Sequence, residues 1–251
     1  MQFKILKKII SILGFKLIDK QLVKNNKLLS NNHFYSINDI LESLFINKNV
    51  NQLIQIGAND GKRFDSINKF IKKYSPSCVL VEPIKEYFDK LKENYKDKKN
   101  IFFENLAISV NDEINYLFKV KESKIKFYDE HIKGITSFDI NHLKKHGVKK
   151  NHIEKKKVDY ISITDLIKKY YQNLDLLLVD AEGYDANIII DLLNNSNQEP
   201  IIIFEYIHIK HNIFKSLINL LKKKRYFYYS INENLICFPV NKKPKLSFLI
   251  D

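Results

Sequence analysis

The chain has 251 residues, enough for one large domain with a sizeable core, and its 45% hydrophobic and 28% charged residues exclude a disordered or fibrous protein. Its formal net charge is +13, carried almost wholly by lysine, since Arg63 and Arg225 are the only arginines. Cys78 and Cys237 sit in apolar, strand-like stretches with neither disulfide nor metal-ligand spacing, and read as buried thiols of a reducing, cytoplasmic compartment.

The first stretch, MQFKILKKIISILGFKLIDK, holds an apolar run, Ile9–Phe15, that is too short and too charged to span a bilayer and lacks a small-residue cleavage site. Residues 1–20 are expected to form a basic amphipathic helix that packs on the body, pairs with a second copy as a homodimer, or touches a membrane surface; packing on the body is preferred. The segment 1–49 reads as a helical extension. Its clearest piece is SINDILESLF (36–45), with Ser36 or Asn38 as cap and Ile40, Leu41, Leu44 and Phe45 on one face.

From residue 50 to 251 the rhythm is that of one α/β domain. VNQLIQIG is a short buried strand, followed by a helix over 66–74, a strand over 78–83 stopped by Pro83, a helix over 84–95 and a strand over 100–109. Such alternation predicts parallel βαβ units. EINYLFKV (113–120) alternates like an exposed strand, and residues 121–157, rich in Lys and His, show no sustained period and read as a basic insertion or lid. The rhythm resumes with a strand and helix over 160–171, a strand over 175–183, a helix over 184–193, a strand over 200–208 and a helix over 212–224. The segments 226–231 and 234–240 alternate around Asn232-Glu233-Asn234, as a terminal antiparallel hairpin would.

Ligands of an open parallel sheet bind beyond the carboxyl ends of its strands. The first strand ends in Gly57-Ala58-Asn59-Asp60-Gly61, where glycine permits a tight turn and a close ligand approach. The second ends at Glu82, 21 residues after Gly61, where a carboxylate can accept hydrogen bonds from both ribose hydroxyls. The loop lacks the middle glycine of a dinucleotide fingerprint and the Lys-Ser/Thr ending of a P-loop, which disfavours a pyrophosphate. A nucleoside with an amino-acid tail, S-adenosylmethionine, fits better.

IGANDG, VEP, ENLAIS, SITDLI, DAEGYD and IIIFEYIH, in this order, resemble the FkbM-type S-adenosylmethionine-dependent methyltransferases over about residues 50–210. The resemblance implies a Rossmann-like class I fold, a seven-stranded, mostly parallel sheet with a terminal antiparallel hairpin. It also implies methyl transfer, usually to oxygen and often on sugars or small metabolites. By position it implies that Gly57, Asn59 and Gly61, with Asp60 in the same loop, cradle the methionine portion. Glu82 would hold the ribose, and Asn105 and Ala107 would flank the adenine. Thr136 and Ser137 resemble a hydroxyl pair near the cofactor's carboxylate. Gln55 stands where many methyltransferases carry an acid for the cofactor's ammonium, and Asp185 replaces a more common Glu.

Asp180 and Glu182 end the fourth strand beside the expected methyl group, Asp180 as cofactor contact or general base and both also placed to favour a helix dipole. Glu205 and His208 end the fifth strand, His208 being the second candidate base. Four of the seven histidines (His131, His142, His146 and His152) fall in the insertion, and His142 and His146 share a helix face as metal ligands can. With no third ligand in sequence, no metal is expected, and the insertion is read as an acceptor-binding lid. The expected acceptor is a small molecule or glycan precursor, an anionic one suiting the basic insertion: a sugar, nucleotide-linked or phosphoryl-type oxygen, for example a phosphoramidate, in capsule or other cell-surface polysaccharide synthesis. Two other readings stand beside it: a nucleic-acid methyltransferase, which the absence of an RNA-binding module disfavours, and a scaffold that keeps the fold without turnover.

Overall fold

The computed structural model describes residues 36–63, 65–110, 116–129, 132 and 134–242. The expected helix of residues 1–20 and His131 lie outside them. Ser36 caps the first described helix, α1 (Ile37–Ile46): its Oγ accepts the Asp39 N–H at 3.3 Å and donates to Asp39 Oδ2 at 2.8 Å. Ile40, Leu41 and Leu44 are buried, and Phe45 stacks on Phe70 and Tyr74 of the next helix, α2 (Asn68–Tyr74), at 5.6 and 5.3 Å between ring centroids. That apolar seam, rather than the exposed Lys73–Glu42 ion pair beside it, holds the two helices together.

The strands in chain order are β1 (Gln52–Ile56), β2 (Ser77–Val81), β3 (Ile101–Glu104), β4 (Ala107–Ile108), β5 (Tyr116–Val120) and β6 (Thr136–Ser137). They continue with β7 (Ile153–Lys157), β8 (Tyr160–Ile161), β9 (Leu176–Val179), β10 (Ile201–Glu205), β11 (Tyr226–Ile231) and β12 (Asn234–Pro239). After α2 come the helices α3 (Lys85–Asn94), α4 (Ile140–Lys145), α5 (Ile163–Tyr170), α6 (Asp185–Asn195) and α7 (His211–Lys223).

Seven strands form the main sheet in the order β11-β12-β10-β9-β1-β2-β3. The five from β3 to β10 pair in parallel; β12 runs antiparallel to β10, and β11 to β12. This is the expected mixed sheet with a terminal antiparallel hairpin. The apolar runs of β1, β2, β9 and β10 are buried because helices cover both faces of the sheet, as parallel strands require. β1 pairs with β2 on one side and β9 on the other, so the strand order reverses there and opens a crevice at the carboxyl ends. Cys78 and Cys237 are buried free thiols, as expected, and burial pushes both well up. No helix among the described residues is long and apolar enough to cross a membrane.

Two regions differ from the sequence reading. The strand expected over 100–109 breaks at Asn105, whose side chain donates to the Glu82 and Pro83 carbonyls at 2.9 and 3.1 Å; beyond it, β4 leaves the main sheet to pair with β8. The basic insertion is not irregular. β5, expected as exposed, is the centre of a three-stranded antiparallel sheet, β6-β5-β7, with its own apolar cluster of Val120, Ile135, Leu143, Val148 and Ile153. Lys119 in β5 is buried, and Glu86 and Glu154 compensate its charge at 3.2 and 3.8 Å.

Candidate active site

The loop after β1 is set by its neighbours. Gly57 and Ala58 N–H groups both donate to the Val81 carbonyl at 3.0 Å, while the Asp180 N–H donates to the Ile56 carbonyl at 3.0 Å. Gly57 has φ +78, and a Cβ there would lie 2.0 Å from the Asp180 carbonyl oxygen, so only glycine fits. Glu82 is buried directly behind the loop: Oε2 accepts the Asn59 N–H at 2.9 Å and Oε1 the Ile84 N–H at 2.8 Å. Burial pushes its carboxyl up to about 7 against the opposing pull of those two bonds.

Around this loop lies a cleft of about 400 Å³, reached by Gln55, Gly57, Asn59, Glu82, Asp180, Glu182, Glu205 and His208. Ala107 instead lines an adjoining apolar recess with Val81, Pro83, Leu106, Ile108 and Leu117. Thr136 borders both. Gly61 packs against Leu91 and Tyr95 behind the loop instead of lining the cleft, and three expected side-chain contacts turn away. Asp60 faces back into its own loop, accepting the Lys62 and Arg63 N–H groups at 3.0 and 2.8 Å and Arg63 Nε at 2.8 Å. Burial pushes its carboxyl up, but these bonds outweigh that and hold it below the usual range. Asn105 ties the turn after β2, as described. Ser137 is buried; its Oγ donates to the Glu182 carbonyl at 3.1 Å and accepts the Asp139 N–H at 3.2 Å, so it clamps the insertion to the β9 loop.

Gln55 is explained by a residue that no sequence motif singled out. Its Nε2 donates to Asp65 Oδ1 at 3.2 Å, and both side chains border the cleft. Gln55 Oε1 and Asp65 Oδ2 are buried and have no hydrogen-bond partner among the described residues. Burial raises the Asp65 carboxyl. Two buried acceptors without a partner are costly, and a donor bound in the adjoining cleft would relieve that cost. Together with the glycine cradle and the buried Glu82, they fit a ligand that carries a ribose and an ammonium.

The opposite wall is the β9 and β10 ends. Asp185, buried at the start of α6, accepts the Ala181 and Gly183 N–H groups at 3.3 and 3.1 Å and so shapes the DAEG loop. Glu182 in that loop has φ +50, a strained conformation for a non-glycine residue. Asp180 is exposed on the cleft wall and borders the adjoining recess. The enclosing protein, then Glu182, pushes its carboxyl up to about 7. Glu205 rises to about 8 by burial and the nearby Asp180, Glu182 and Glu233. The hairpin turn joins this wall through Glu233 and Asn234, which the sequence reading had left outside the site. In a chain of net charge +13, the cleft therefore carries Asp65, Glu82, Asp180, Glu182, Glu205 and Glu233, against Arg63 and His208 among its described basic residues.

The insertion's histidines divide. His152 Nδ1 bonds the Tyr128 hydroxyl at 2.7 Å, outside the cleft lining. His142 reaches the DAEG loop, its Nε2 lying 2.8 Å from Glu182 Oε2, and its ring contacts those of His146 and His208. His208 Nε2 lies 3.7 Å from Glu205 Oε2.

Among curated proteins none matches significantly. Solved structures with related shapes include a methyltransferase from Geobacter sulfurreducens, 8% identical over 92% of this chain and 94% of that one, TM-score 0.45. Another is the methyltransferase FkbM from Methylobacillus flagellatus KT, 10% identical over 76% of this chain and 44% of that one, TM-score 0.44. A third is the ribosomal protein L11 methylase from Lactobacillus delbrueckii subsp. bulgaricus, 11% identical over 79% of this chain and 77% of that one, TM-score 0.40. Likenesses this distant do not choose an acceptor. The sequence itself is decisive: residues 55–228 match the methyltransferase FkbM domain, and the chain belongs to that family of S-adenosylmethionine-dependent methyltransferases.

Proposed function

We propose that this enzyme methylates a hydroxyl oxygen of a sugar or nucleotide-linked sugar during cell-surface polysaccharide synthesis in the cytoplasm. The glycan pathway rests on the family resemblance. The observation that supports an oxygen acceptor is the Asp180 carboxyl, held at about 7 on the cleft wall beside Glu182. A base with that affinity for protons can take one from a hydroxyl as the oxygen attacks, and return it to solvent at neutral pH.

The cofactor supplies an electrophilic methyl group on a sulfonium. On this reading Gly57, Asn59 and Gly61 shape the methionine loop, Glu82 accepts the ribose hydroxyls, and Ala107 with its apolar neighbours packs against the adenine. Asp65, oriented by Gln55, receives the ammonium in place of the acid expected at position 55. The acidic cleft suits a cofactor of net positive charge. It also favours the hydroxyl-bearing end of an acceptor, so a nucleotide or phosphoryl group would lie against the exposed lysines of the insertion, such as Lys126, Lys144 and Lys145.

A mass-spectrometric screen of nucleotide sugars, sugar phosphates and phosphoramidates for a gain of one methyl group tests the reading. One such class should be modified, and only with S-adenosylmethionine present. Methylation of RNA instead, with a salt-sensitive gel shift, would replace the glycan acceptor with a nucleic acid.

A further inference from the structure

Three histidines from distant parts of the chain converge where the insertion meets the sheet. His142 and His146 lie one turn apart, His142 on α4 and His146 at its C-terminal end, whose N-terminus Asp139 caps by accepting the Asn141 N–H at 2.9 Å. His208 comes from the loop after β10, more than sixty positions later in the chain. Their ring centroids are 4.7 Å (His142–His146), 4.7 Å (His142–His208) and 5.2 Å (His146–His208) apart. One nitrogen from each ring lies within 4.8 Å of the other two.

Three imidazoles in mutual contact, with one nitrogen of each close to the other two, are a good arrangement for a metal, which needs converging nitrogen donors. Around a tetrahedral ion with nitrogen bonds of about 2.0–2.1 Å the ligand atoms stand about 3.4 Å apart, a contraction that side-chain rotation supplies. Carboxylates already flank the cluster: Glu182 Oε2 is 2.8 Å from His142 Nε2, and Glu205 Oε2 is 3.7 Å from His208 Nε2. Carboxylate–imidazole pairs of this kind orient metal-bound histidines and offset the ion's charge.

The backbone is shaped to the same end. Gly183 has φ +93, and a Cβ there would come within 3.1 Å of the His208 carbonyl oxygen, so glycine lets the two loops close up. Ser137 and His142 both bind Glu182, which fixes the insertion over it.

We propose that His142, His146 and His208 bind one divalent transition-metal ion of the zinc type at the edge of the cleft, with Glu182 beside it. Imidazole donors select zinc, cobalt or nickel over magnesium or calcium. Three protein ligands leave a coordination position for an oxygen of water or of the acceptor, as catalytic rather than structural metal sites do. His208 and Glu182 line the cleft, so an ion held beside them would sit at its edge. An ion there would also offset the crowded carboxylates and allow an anionic acceptor to approach.

Titration of the metal-stripped full chain with Co²⁺ or Zn²⁺ alone, followed by calorimetry and by cobalt absorption, tests this without cofactor or acceptor. The wild type should take up one ion, with the visible bands of four- or five-coordinate cobalt. His146→Ala and His208→Ala, each at a half-buried side chain, should bind it at least tenfold more weakly while keeping S-adenosylmethionine affinity, which reports an intact fold. Wild type that takes up no ion, or a His142→Ala/His146→Ala/His208→Ala triple variant that binds as tightly as wild type, would overturn the site. Either result is independent of whether the acceptor is a sugar.

Discussion

The two walls of the cleft are built on different principles. On the β1–β2 wall nearly every polar group is committed: Glu82 to two backbone N–H groups, Asp60 to its own loop, Asn105 to the turn behind Glu82. On the β9–β10 wall, Asp180, Glu182, Glu205 and Glu233 stand close together, and mutual repulsion adds to burial in raising Asp180 and Glu205. A wall of satisfied bonds is preorganised for binding, whereas a wall that holds the Asp180 and Glu205 carboxyls near neutrality is arranged for chemistry. The gaps in the first wall are Gln55 Oε1 and Asp65 Oδ2, buried and without a partner among the described residues, and on the proposed reading they receive the cofactor's ammonium.

Substitutions should separate the walls. Gly57→Ala has the largest expected effect because it strikes where they touch. Its Cβ would meet the Asp180 carbonyl oxygen at 2.0 Å in a left-handed conformation. A loss of about 3 kcal/mol or more in denaturant unfolding is expected, together with loss of cofactor binding. Asp180→Asn should act on the chemical wall alone, lowering kcat by about 10²–10⁴-fold while calorimetry shows nearly unchanged cofactor affinity. An equal loss of affinity would move Asp180 to the binding wall. Asp65→Asn should do the reverse, weakening S-adenosylmethionine by about 10–100-fold, as removal of a charged hydrogen bond does, with little change in kcat at saturation.

The smallest effect is a change in pH dependence. The Glu82 carboxyl is raised in the folded protein from 4.5 to about 7. Its neutral form is therefore favoured by folding: this contribution to stability is full below the unfolded value and is lost as pH rises through about 7. The melting temperature of cofactor-free protein should fall between about pH 5 and pH 8, and Glu82→Gln should show a smaller fall over that window.

The same division explains what the sequence could disclose. The βα rhythm and the Gly57-to-Glu82 spacing are local patterns, and the β1–β2 wall follows from them. The break at Asn105 is made by a side chain reaching back 23 positions to the Glu82 carbonyl, which no periodicity records. β5 looked exposed because its residues alternate, and the burial of Lys119 within it depends on Glu86 and Glu154 from separate elements. Asp60 and Asp65 are both acids near a glycine loop, and only the fold distinguishes the one that braces the turn from the one that faces the cleft. An acid shortly after the loop, given a glutamine at position 55, was the available signal for Asp65. The chemical wall draws on the insertion, the DAEG loop and the hairpin turn, parts that meet only in three dimensions. The pair His142 and His146 was visible as a helical spacing; its third member, His208, was not.

The central claim, a cleft whose β1–β2 wall binds S-adenosylmethionine through Glu82, is tested most directly by calorimetry of wild type and Glu82→Ala with the cofactor and its demethylated product. Wild type should bind both at one per chain, and Glu82→Ala should bind them about 100-fold more weakly, because two ribose hydroxyls lose their acceptor. Wild type that binds neither ligand, or a Glu82→Ala protein that binds as tightly as wild type, would contradict the account.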